Sequence, residues 1–90
     1  MIYITASHGP EKKHASVEDA IAWIAKYVMT PKARYAIPKL WIYDKNNTLI
    51  GDLYVIDKEA KIMSGENKPS VLHICYMLRN TITKYNKKTV

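Results

Sequence analysis

The sequence predicts an α+β fold of order β-α-β-β-β-α. Its three- to four-stranded, mostly antiparallel sheet has two helices packed on one face. Three observations predict it. Val17, Ile21, Ile24, Ala25 and Val28 recur at helical spacing, as do Val71, Ile74, Cys75, Leu78, Ile82 and Tyr85. Apolar and polar or aromatic residues alternate at Met1 to Ala6, Lys39 to Tyr43 and Thr48 to Ile56, the period of strands. Asn- and Asp-containing turns separate the later strands. Helices and strands in this order bury their apolar faces best as two layers. Ninety residues suffice for one domain. It is expected to span residues 1–86, with residues 87–90 a frayed basic tail.

In the first strand, Ile2, Ile4 and Ala6 share one side and Tyr3 and Thr5 the other. Ser7-His8-Gly9-Pro10 breaks it, and Glu11 to Ala15 reads as a charged loop. Ser16-Val17-Glu18-Asp19 opens a helix. Ser16 can cap it, and both acids suit the dipole at that end. Pro31 stops the helix, and a connector follows to Pro38. In the second strand Leu40 and Ile42 face one way, Trp41 and Tyr43 the other. Asp44 to Asn47 turns the chain, because Asn tolerates the left-handed backbone of such loops. Thr48 to Ile56 returns, with a change of phase near Gly51 that predicts a bulge. After the turn at Asp57 to Ala60, Lys61-Ile62-Met63 is expected as a short edge strand. Pro69 fits the first turn of the last helix, with Asn67 or Ser70 as caps and an end near Tyr85.

Composition narrows the class. The formal charge is +6. Ala20 to Tyr43 carries Lys26, Lys32, Arg34 and Lys39 without a carboxylate. Asn67 to Val90 carries Lys68, Arg79, Lys84, Lys87 and Lys88, again without one. Such sorting predicts a positive field on one side of the molecule, suited to a polyanionic or acidic partner. The single Cys75 cannot close an intrachain disulfide, which suggests a reducing compartment. No secretory leader or membrane-length apolar run is visible, so a cytoplasmic location is expected. Seven Tyr and two Trp, with no Phe, give every large ring a polar handle.

Three candidate surfaces emerge. If the helices cover Leu40 and Ile42, then Trp41, Tyr43, Tyr54 and Tyr3 form an aromatic platform on the open sheet face. Such a platform suits bases or a protein partner, a second copy of the chain included. The outer side of the last helix carries His73, Tyr76, Asn80, Lys84 and Lys87. Arg79 and Lys88 add to its field, and Lys68 lies at the helix start. The proline-bounded connector carries Lys32, Arg34 and Tyr35. From residue 16 the order α-β-β-β-α is that of double-stranded-RNA-binding domains. The paired lysines of their last helix and the histidine of their first hairpin have no counterpart here, so the likeness extends only to element order.

No catalytic constellation, metal spacing, Gly-rich phosphate loop or cofactor motif is present. The expected function is therefore that of a non-enzymatic binding protein whose basic surface engages nucleic acid or a nucleoprotein. The alternative is a small inhibitor or accessory protein, of the kind phages and mobile elements encode, bound to an acidic host surface. A weak ribonuclease using His8 or His14 with Lys12 and Lys13 is a third class.

Overall fold

The computed structural model describes residues 1–7, 10–30 and 37–88, of which residues 87 and 88 are described by their backbone alone. The elements are β1 (Ile2–Ala6), β2 (Lys12–His14), α1 (Val17–Val28), β3 (Lys39–Tyr43), β4 (Leu49–Ile56), β5 (Glu59–Ser64) and α2 (Pro69–Lys88). The strands form one antiparallel sheet in the order β2-β1-β3-β4-β5. Both helices lie on the same face of it, in contact with each other.

Five strands replace the three or four expected. The additional one, β2, occupies the segment predicted as a charged loop. Its residues are Lys12, Lys13 and His14, so it has no apolar alternation to betray it. Pairing with β1 alone makes it a strand. At three residues, with two lysines, it is the kind of short charged edge that resists further pairing. β5 is also longer than Lys61 to Met63, and it forms the opposite edge.

Pairing decides which face each residue takes. Tyr3 stands opposite Ile42 and Thr5 opposite Leu40, so both point toward the helices. Tyr3 is therefore a core residue and no part of the open platform. Ile2, Ile4 and Ala6 take the outer face. This inverts the expectation from hydrophobicity. Thr5 is fully buried, and the cost of burying its hydroxyl is offset by a 2.8 Å hydrogen bond to Nε2 of His14. The Tyr3 hydroxyl reaches Met1 Sδ at 3.8 Å. Burial, then the nearby Glu18 carboxylate, push its pKa up.

The core lies between the layers. Ala20, Ile21, Ile24, Ala25 and Val28 of α1 and Val71, Ile74, Cys75, Leu78 and Ile82 of α2 meet Leu40, Ile42, Leu53, Val55 and Ala60. Each large aliphatic side chain buried here contributes about 1.5–3 kcal/mol. Ser16 caps α1 as predicted, accepting the Asp19 N–H at 3.1 Å. Pro69 opens α2. The carbonyl of Lys68 accepts from the N–H groups of Val71 and Leu72, so Lys68 takes the place predicted for Asn67 or Ser70. The helix runs to Lys88, beyond its expected end near Tyr85.

The expected bulge is present. Ile42 pairs with Gly51 and Tyr43 with Leu49, leaving Ile50 as the additional residue. Gly51 has a second role. A Cβ there would lie 2.6 Å from Val71 Cγ2 and 2.9 Å from the Ser64 carbonyl oxygen, so its bare backbone admits the first turn of α2.

Candidate functional site

No helix among the described residues covers the outer sheet face, and β-strand alternation fixes what it displays. One row across the sheet reads Lys13, Ile4, Trp41, Asp52, Ser64. The next reads Ala6, Lys39, Tyr54, Lys61. A third places Ile2 beside Tyr43 and Tyr43 beside Leu49. Tyr54 therefore stands between two lysines, about 4.8 Å away along each side of the sheet. Trp41 and Tyr54 are diagonal neighbours, within reach of each other's rings.

Between them lies a shallow hollow of about 260 Å³, bounded by Ile37, Lys39, Trp41, Asp52, Tyr54 and Met63. Its walls are mostly apolar. Met63 is 60% exposed and Ile37 48%, which is high for side chains of their kind. The residues with polar or charged groups among those that line it are Lys39, Tyr54 and Asp52. The Ser64 hydroxyl donates to Oδ1 of Asp52, holding that carboxylate in place.

The structure thus brings Trp41, Tyr43 and Tyr54 together, as alternation predicted. Lys13, Lys39, Lys61, Ile4, Asp52 and Met63 share the same surface, although the sequence pattern did not mark them as members of it. For Lys61 the sequence signal was weak, because Asp57-Lys58 lacks the glycine typical of a two-residue hairpin turn, yet both residues take positive φ, 53° and 65°, and form one. A two-residue turn there places Lys61 opposite Tyr54. For Lys13 there was none, because β2 has no apolar pattern.

The other predicted residues do not join this site. His73, Tyr76, Arg79, Asn80 and Lys84 are exposed on α2, whose inner side packs on the opposite face of the sheet. Lys68 is exposed at the start of that helix. Arg79 is engaged structurally. Its Nε donates to the Ala60 carbonyl at 3.1 Å, masking an acceptor of the edge strand β5. Lys87 belongs to α2, as does Lys88. Lys32, Arg34 and Tyr35 lie outside the described residues. Among the described residues the candidate cations therefore divide between the outer sheet face and α2, and are not gathered on one side as expected.

A third cluster surrounds α1. The Trp23 and Tyr27 rings stack with centroids 5.6 Å apart. His14 lies 6.4 Å from Trp23, and Lys12 Nζ is 6.0 Å from the same ring. Thr5 and His14 resemble a hydroxyl–base pair, but the Thr5 side chain is sealed from solvent and cannot meet a substrate. His8 lies outside the described residues. Cys75 is buried, and that burial pushes its thiol pKa up while Arg79 pulls the other way. Among the described residues no three His, Cys, Asp or Glu side chains gather to hold a metal ion, and no helix is long and apolar enough to cross a membrane. Comparison with family models, with curated proteins and with solved structures finds no match to this chain.

Proposed function

We propose that this protein binds single-stranded nucleic acid on its outer sheet face, without catalysing a reaction. The observation that carries the reading is the coincidence of rings and cations there. Tyr54 stands between Lys39 and Lys61, with Trp41 diagonal to it. Unpaired bases stack on such rings for about 1–3 kcal/mol each, while lysines between the rings meet the phosphates. A duplex hides its base faces and gains little from a flat platform, so a single strand fits better.

A protein partner is the second reading. It draws support from the apolar residues that extend beyond the rings, Ile2, Ile4, Leu49 and Met63. Association through such a patch depends weakly on salt.

Fluorescence anisotropy with labelled RNA octamers of mixed sequence tests the first reading. Trp41→Leu and Tyr54→Leu should each weaken binding by about 1–3 kcal/mol, with an unaltered circular dichroism spectrum. If neither substitution changes the affinity, the bases do not stack on this face. If the parent protein binds no octamer at all, the sheet face serves some other partner.

A further inference from the structure

A face built to hold phosphate has no use for a carboxylate at its centre, yet Asp52 is there. It lies in the row of Trp41 and at the rim of the hollow shared by Trp41 and Tyr54. It repels every phosphate that approaches the neighbouring lysines, and so weakens non-specific binding. The cross-strand Ser64 hydroxyl fixes the carboxylate through Oδ1. A carboxylate has roughly four lone-pair positions, so most of its accepting capacity stays open toward the hollow.

The geometry points to Asp52 as the reader of a base, and to guanine as the base it selects. This inference rests on the sheet face being the nucleic-acid site. A carboxylate only accepts hydrogen bonds, so it selects the base edge richest in adjacent donors. Guanine offers N1–H and the N2 amino group side by side, matching two carboxylate oxygens. Cytosine and adenine offer one amino group beside a ring nitrogen that repels the carboxylate. Uracil offers one N–H between two carbonyl oxygens, the least suitable of the four. A base stacked on Trp41 or Tyr54 would direct its edge along the sheet, toward Asp52, while Lys39 and Lys61 hold the flanking phosphates. Discrimination by a bidentate pair of this kind amounts to about tenfold or more.

The test uses the full chain and four labelled RNA octamers at one ionic strength: U8, and alternating UG, UC and UA. The parent protein should bind the UG octamer at least about tenfold more tightly than the other three. Asp52→Asn keeps the size of the side chain and its link to Ser64 but removes the charge and one acceptor. It should erase the preference, bringing the four octamers within about twofold, and should leave U8 bound as tightly as before or more tightly. The inference is overturned if the parent protein shows no preference for UG, or if the preference survives in Asp52→Asn. Either result leaves the sheet face standing as a binding site, since the octamers still bind. Failure of all four to bind the parent protein removes both.

Discussion

Removing Lys39 and Lys61 should flatten the salt dependence of binding, and removing Lys84 should not. The three lysines of the central rows, Lys13, Lys39 and Lys61, share the outer face with Trp41 and Tyr54. Each phosphate neutralised on a single strand adds about −0.7 to the slope of log affinity against log salt. Three contacts give a slope of about −2, so raising salt from about 50 to 200 mM should cost the parent protein nearly twentyfold in affinity. In the double variant Lys39→Gln, Lys61→Gln the slope should fall to about −0.7, and the same change in salt should cost less than threefold. Lys84 is exposed on α2, the layer on the other side of the sheet. Lys84→Gln should keep the parent slope. Anisotropy titrations of a labelled RNA octamer at four salt concentrations measure all three. A slope lowered by Lys84→Gln but not by the double variant would move the site to the helix and refute the assignment to the sheet.

Three substitutions examine the scaffold, each read by urea unfolding of the purified chain. Gly51→Ala should destabilise by about 1–3 kcal/mol, because its new methyl meets Val71 and the Ser64 carbonyl at 2.6 and 2.9 Å; a neutral result would mean that α2 shifts freely from the sheet. Lys58→Gly should stabilise by about 1 kcal/mol, since Lys58 holds a φ of 65° that glycine adopts without strain; a loss of stability would show that its side chain matters more than the turn. Arg79→Met keeps the aliphatic stem but removes the hydrogen bond to the Ala60 carbonyl. It should cost about 1–3 kcal/mol and favour self-association through β5, read by sedimentation.

The layers of this fold were legible because period and polarity agreed. Both helices, the β3–β4 hairpin and the bulge opposite Ile42 follow from spacing, turn residues and the phase change at Gly51. The existence of β2 and the facing of β1 escaped, for opposite reasons. β2 is polar throughout, so only its hydrogen-bonded partner makes it a strand. β1 alternates clearly, but both of its faces are apolar enough to be buried. Alternation alone could not say that Tyr3 and Thr5 turn inward, because the answer depends on the Thr5–His14 hydrogen bond, nine residues apart. The candidate site was half legible. Its rings follow from alternation within one strand, while its cations come from β2, β3 and β5 and meet only once the sheet is assembled.

Charge along the chain was a poor guide to charge in space. Lys39 belongs to one carboxylate-free stretch and Arg79 to the other, yet they end on opposite layers. Basic residues alone therefore do not choose between the sheet and α2. Rings make the choice. The α2 surface has one exposed ring near its cations, Tyr76, beside Leu72. The sheet has three half-buried ones, Trp41, Tyr43 and Tyr54, grouped at alternate positions of two adjacent central strands. Two helices of 12 and 20 residues are enough to cover one face of a five-stranded sheet, and no described helix covers the other. A Trp and two Tyr on a face that no described helix covers, with lysines spaced between them, fit a ligand that alternates flat apolar units with negative charges. A single-stranded nucleic acid has that repeat, and an acidic protein surface does not present flat rings at such a spacing.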